Sequence, residues 1–117
     1  MVKPRDTNDV AVTIKVLRWL PLSDSCKVAI RGGGHTPWAG SANIDGGVTI
    51  DLSSLKAISV NRDKSVVSVG AGCVWGEVYK KAEAMGIAVI GGRGSSIGVS
   101  GLTLGGKSSL DSVEHDL

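Results

Sequence analysis

Apolar positions recur at helical spacing in two stretches of the chain. In the first, Val10, Ile14 and Leu17 fall on one face of a helix opening at Thr7, whose hydroxyl suits an N-cap. Asp9 stands in its first turn, where the helix dipole favours an acid, and Pro21 ends the run. In the second, Trp75, Val78, Tyr79, Ala82 and Met85 share a face, and Gly86 sits where a left-handed C-terminal cap belongs. Elsewhere the apolar residues alternate or form short continuous runs. Lys27–Ile30, Val48–Leu52, Ala57–Val60, Ser65–Val69 and Ile87–Ile90 are predicted as strands. The polar turn Asn61-Arg62-Asp63-Lys64 joins the third and fourth into a hairpin, and residues 91–106 read as a glycine-rich tail. The order helix, strands, hairpin, helix, strand predicts an α+β fold rather than regular βαβ units.

Composition narrows the function classes. The chain has 117 residues, 42% hydrophobic and 21% charged, enough for one modest folded core. With no Phe, one Tyr and three Trp, that core is expected to be largely aliphatic. Thirteen basic residues against eleven acidic ones leave a net charge of +2, which supplies no concentrated basic face for nucleic acid or a membrane surface. No apolar run has the length of a membrane span, and the N-terminus shows no signal-like segment. Cys26 and Cys73 are too few and too far apart for a disulfide scaffold or a zinc knuckle, and no metal site is expected. Nothing here names a compartment. Glycine is the outlier: 17 residues, about twice the usual share of roughly 7%. Glycines at loop positions let main chain approach closely, so recognition is expected to run through the backbone.

Three glycine motifs compete. Gly70-Ala71-Gly72-Cys73-Val74-Trp75-Gly76 lies between a strand and a helix, as a dinucleotide fingerprint does. Its third glycine comes one residue late, and Val89-Ile90-Gly91 offers no acid for a ribose, so a tight structural turn is the better reading. Gly101-Leu102-Thr103-Leu104-Gly105-Gly106-Lys107-Ser108 matches the phosphate-loop spacing in full. It lacks a convincing preceding strand, and only nine residues follow Ser108. The third, Arg31-Gly32-Gly33-Gly34-His35, emerges directly from a strand. Its successive N–H groups can form an anion-binding concavity, with Arg31 as a charge partner or a solvated strand end. His35 taken alone is more often structural than chemical.

Taken together with Gly40, Ala42–Leu52, Val69–Gly72, Trp75–Tyr79 and Gly91–Gly106, the third motif resembles a known arrangement. Order and spacing look like the FAD-binding domain of the p-cresol methylhydroxylase type, most of all the fungal berberine-bridge-enzyme-like oxidoreductases. The resemblance runs from residue 1 to about residue 106. It implies a first lobe over 1–55 carrying the R-G-G-G-H loop, and the start of a second lobe over 56–117 with a divergent tail from 107. It further implies that Arg31, Gly32, Gly33, Gly34, His35, Thr36, Gly40 and Ser41 wrap the FAD pyrophosphate and that His35 bonds the flavin covalently. A second contact set follows from the same resemblance: Gly92, Ser95, Ser96, Gly98, Val99 and Gly101. The implied reaction is hydride transfer from an alcohol, sugar or alkaloid-like substrate to flavin, usually reoxidised by dioxygen. Gly94 stands where doubly linked relatives carry a cysteine, so one covalent bond at most is expected. Ile97 falls where relatives vary a residue near the oxygen-reactive face.

The family continues beyond the point where this chain reads Lys107–Leu117 and stops, and an earlier segment also precedes the Val2–Arg5 stretch in relatives. The chain is therefore expected to be a truncated portion holding the cofactor half-site, inactive by itself, and able to meet a small-molecule substrate only with the remaining domain supplied. A non-catalytic remnant, or a nucleotide-binding module built on residues 101–108, is the alternative.

Overall fold

The computed structural model describes residues 1–19 and 27–106. Helix α1 covers Thr7–Trp19 and helix α2 Trp75–Ala84; strands are β1 Val28–Arg31, β2 Val48–Asp51, β3 Ile58–Val60 and β4 Val67–Val69; helix α3 is Val99–Leu104. The mixed α+β content agrees with the sequence pattern. β1 and β2 pair in parallel, Val28 opposite Val48 and Arg31 opposite Asp51, and Val2 bridges to Ile50 on the other side of β2. β3 and β4 pair antiparallel, Ile58 opposite Val69.

α1 differs in detail from expectation. Its cap is Asp6, whose Oδ1 accepts the Asp9 N–H at 2.8 Å; Thr7 is already inside the helix. A carboxylate is at least as good an acceptor there as a hydroxyl. Of the expected apolar face, Leu17 is buried, Val10 half-buried and Ile14 54% exposed. Pro21, the expected stop, lies outside the described residues.

The hairpin forms as read. Asn61 organises its turn, its carbonyl accepting the Lys64 N–H (3.1 Å) and its Oδ1 the Val66 N–H (2.8 Å). Lys64 adopts φ +58°, an uncommon conformation for a side chain with a Cβ. α2 also forms as read, ending at Gly86 with φ +65°. At its start the Glu77 carboxylate accepts the Val74 N–H (3.0 Å) while also taking Lys56 as an ion partner.

Two expectations fail. Ile87–Ile90 is not a strand. The alternation is present, with Val89 packed inward and Ile90 55% exposed, yet no strand among the described residues supplies a ladder and the Ile87 N–H serves the α2 cap. The glycine-rich tail contains a helix, α3. Val99 and Leu102, three residues apart, turn one side to the core, and the Thr103 hydroxyl donates to the Val99 carbonyl at 2.8 Å. The signal was the Val99–Leu102 spacing, masked by glycines with poor helix propensity.

The core cluster is built on Cys73, Trp75 and Val78, with Ile58, Val69, Tyr79, Val89, Ile97, Val99 and Leu102 packed around it. It is largely aliphatic, as expected, around the stacked pair Trp75 and Tyr79. Burial pushes the Cys73 thiol upward in pKa. Gly70 and Gly72 pack so closely on the carbonyls of Leu55 and Leu52 that a side chain at either would collide with main chain. This gives the first glycine motif its structural reading, a tight strand-to-helix turn.

Candidate functional site

Strand β1 delivers the loop from Gly32 onward. Its carbonyl end is fixed, since the Leu52 N–H donates to the Arg31 carbonyl at 2.8 Å. Gly34 then turns with φ +61°, and a Cβ there would meet the Arg31 guanidinium at about 3 Å, so the cation lies directly against the loop's main chain. Across from Arg31 in the register, Asp51 holds its carboxyl below the usual range: it accepts the Ser53 N–H at 2.9 Å and feels Lys3 and Arg31. Among the described residues, the N–H groups of Gly33, Gly34 and His35 donate to no carbonyl or side chain.

The second glycine turn arrives from the other half of the chain. Its ends are bonded to the start of α2: the Trp75 N–H donates to the Ile97 carbonyl (3.0 Å), Gly76 N–H to Ser95 (2.9 Å) and Val99 N–H to Cys73 (3.0 Å). Gly33 and Gly98 then meet face to face. A Cβ on Gly33 would lie 2.6 Å from the Gly98 Cα, and one on Gly98 would lie 2.8 Å from the Gly33 Cα. Nearby, a Cβ on Gly32 would run into the Ser100 hydroxyl. Neither loop reaches this approach with side chains present.

Where the loops meet, a cavity of about 430 Å³ opens. Gly32, Gly33, Gly34, His35 and Thr36 line it from one side, and Gly98, Gly101 and Gly105 from the other. Ile30, Pro37, Trp38, Ala42, Ile97 and Leu102 make its apolar wall. His35 is exposed at this rim rather than packed among aliphatic side chains.

The other expected site residues lie outside the cavity lining. Arg31 braces the loop from behind. Gly40 takes a positive φ in the following turn, and Ser41 donates to the Thr36 hydroxyl (3.2 Å) and the Trp38 carbonyl (3.1 Å). Gly92 is buried against Trp75, Val99 packs on the core, and Ser95 and Ser96 are exposed, with Ser95 against Gly76 of α2. Ile30, Pro37, Trp38, Ala42, Leu102 and Gly105 are not among the FAD contacts expected from the sequence; Ala42, Leu102 and Gly105 lie inside the motif segments, and Ile30, Pro37 and Trp38 flank the R-G-G-G-H loop.

The phosphate-loop reading meets a helix. Gly101–Leu104 belong to α3, and the N–H groups of Leu102, Gly105 and Gly106 are spent on the carbonyls of Gly98, Gly101 and Thr103. That main chain cannot also cradle phosphate. Lys107 and Ser108 lie outside the described residues.

The residues present fit FAD. N–H groups without a protein acceptor among the described residues, with the Arg31 guanidinium against the same loop, suit a diphosphate; Gly101 leaves open space where a side chain would stand; and the apolar wall suits a planar ring. The volume lies within the range of roughly 300–1,000 Å³ usual for small-molecule pockets.

Comparison with known proteins agrees. Residues 1–116 match the FAD binding domain family, and the chain belongs to it. It is 43% identical over 107 residues to the FAD-dependent monooxygenase tpcD of Cochliobolus heterostrophus, covering 92% of this chain and 20% of that protein. It is 42% identical over 103 residues to the bifunctional solanapyrone synthase of Alternaria solani, covering 88% and 19%. Among solved structures, 6-hydroxy-D-nicotine oxidase from Arthrobacter nicotinovorans superposes with TM-score 0.74 at 28% identity, over 86% of this chain and 21% of that one. Berberine bridge enzyme in complex with (S)-reticuline does so with TM-score 0.61 at 25% identity, over 71% and 16%. The fold is thus that of the p-cresol methylhydroxylase type with berberine-bridge-enzyme-like neighbours, and FAD is the cofactor it calls for. The chain spans about a fifth of the length of the curated relatives it matches.

Proposed function

We propose that this chain is the FAD-holding portion of an FAD-linked oxidoreductase in which His35 carries the flavin covalently. The observation behind this reading is the position of His35: exposed, on the rim of the cavity that the Gly33–Gly98 contact creates. In the same reading residues 1–55 make the first lobe and residues 56–117 begin the second.

Each group then has a task. The N–H groups of Gly33, Gly34 and His35 bind the diphosphate, and Arg31 adds positive charge beside them. Ile30, Trp38, Ile97 and Leu102 exclude water from the ring face. With FAD bound, a neutral imidazole nitrogen of His35 would be the nucleophile toward a ring methyl carbon: the methyl C–H and imidazole N–H protons would leave, the electron pair would pass into the flavin, dioxygen would reoxidise the reduced flavin, and the C–N bond would fix the ring. Flavin supplies the acceptor for a hydride from an alcohol, sugar or alkaloid-like substrate. Ile97 stands near the ring in this reading, and its bulk slows the approach of dioxygen. Equal turnover with dioxygen and with an artificial acceptor in the full-length enzyme would remove that part.

Apart from His35, no acid or base lines the cavity among the described residues. Orienting a substrate and taking its proton therefore fall to the remaining length of the enzyme, and the 117-residue chain by itself is expected to show little oxidase activity. The test is expression with FAD, acid precipitation, and intact mass. Wild-type chain should give a yellow precipitate and one added flavin mass, both lost in His35→Ala. A folded wild-type chain that releases all its colour into acid and shows no added mass refutes the covalent attachment.

A further inference from the structure

The second glycine turn is held to α2 by side chains as well as by main chain. Three hydrogen bonds from main chain to main chain hold residues 95–99 to the segment 73–76, as described above. The beginning of the turn is held differently. Gly91 and Gly92 lie flat against the Trp75 indole, so close that a Cβ on either would overlap the ring. That contact brings the Gly92 carbonyl to the Tyr79 hydroxyl, which donates to it at 2.6 Å. Tyr79 is itself held in place, stacked on Trp75 with ring centroids 5.7 Å apart. Burial pushes its phenol upward in pKa.

The turn thus begins at a side-chain hydrogen bond and ends at the Gly98–Gly33 contact that shapes the cavity. Gly76 contributes by having no side chain: a Cβ there would stand 2.9 Å from the Ser95 Cβ and 3.0 Å from the Ser95 carbonyl.

We propose that Tyr79 is a positioning residue for FAD: by holding the Gly92 carbonyl, its hydroxyl sets where the second glycine turn stands against the Gly32–His35 loop. This rests on the FAD reading above. Tyr79 touches neither the cavity nor, in that reading, the cofactor; its effect passes through the turn.

Tyr79→Phe in the 117-residue chain tests it, because the ring and its stacking on Trp75 remain while one donor is lost. Two measurements are made, both in a His35→Ala background so that FAD binds reversibly: hydrogen exchange at the Trp75, Gly76 and Val99 amides without ligand, and FAD affinity by flavin fluorescence. The expected result is exchange at these amides faster by about tenfold, and FAD binding weaker by about tenfold, as for one lost hydrogen bond leaving a carbonyl unpaired. Amides in β3 and β4 should be unaffected, which separates a local effect from general destabilisation. Unchanged exchange at the three amides overturns the proposal, as does faster exchange with unaltered FAD affinity. If wild-type chain binds no FAD, the FAD reading fails and the positioning role falls with it; the exchange data then still say whether the hydroxyl holds the turn.

Discussion

Replacing Gly33 with alanine tests the contact on which the site depends. The new Cβ would lie 2.6 Å from the Gly98 Cα and 2.7 Å from its nitrogen, both main-chain atoms. No rotamer change relieves this, so the two loops must part by somewhat under an ångström, the gap between 2.6 Å and the 3.4 Å at which ordinary contact begins. Both loops resist. One is tied through the Arg31 carbonyl to Leu52, the other through Ile97 and Val99 to Trp75 and Cys73. Forcing a methyl into such packing costs about 1–3 kcal/mol. For a chain of this size that is a fall in melting temperature of about 4–12 °C. Far-UV circular dichroism on heating measures it, with FAD titration alongside in a His35→Ala background, where binding is reversible. Gly101→Ala is the control. A Cβ there meets nothing within 4 Å, and the residue is helical. Alanine should raise stability by about 0.5–1 kcal/mol while lowering FAD affinity, because the methyl enters the cavity. A Gly33→Ala variant melting at the wild-type temperature refutes the close-contact argument. A Gly101→Ala variant with undiminished FAD affinity refutes the placement of the cofactor.

Acidification should destabilise the chain through Glu77. Lys56 and the Val74 N–H hold its carboxyl below the ordinary value of 4.5, so its stabilising effect is present above that value and lost as pH falls through the lower folded value. Denaturant midpoints measured across that window should fall for wild type and be flatter for Glu77→Gln. Lys64→Gly should be more stable than Lys64→Ala by about 0.5 kcal/mol, since both lose the Lys64 Nζ bond to the Met85 carbonyl and only glycine relieves the positive φ; equal denaturation midpoints count against strain at that turn. Cys73 has no exposed surface, so a maleimide should label it only at the rate of unfolding, read from the mass of its peptide; labelling of native protein within mixing time contradicts its burial.

Local patterns in this chain carry their own instructions. The stripe from Trp75 to Met85 with Gly86 behind it specifies α2, and the polar turn at Asn61–Lys64 specifies the hairpin, because helix period, caps and turns depend on neighbours within a few residues. The order and spacing of the glycine motifs likewise led to the family, since main chain that must lie close to a diphosphate or to other main chain excludes every other residue type. Distant contacts were beyond such patterns. That Ile87–Ile90 has no partner strand among the described residues, that Ile14 faces solvent, and that Val99–Leu104 coils into a helix are settled by what lies across the fold. The same holds for the pairing of Gly33 with Gly98, sixty-odd residues apart, and for Tyr79 beneath Gly92. A free N–H or a bare Cα is written in the sequence; the surface it will press against exists only once the chain has closed on itself.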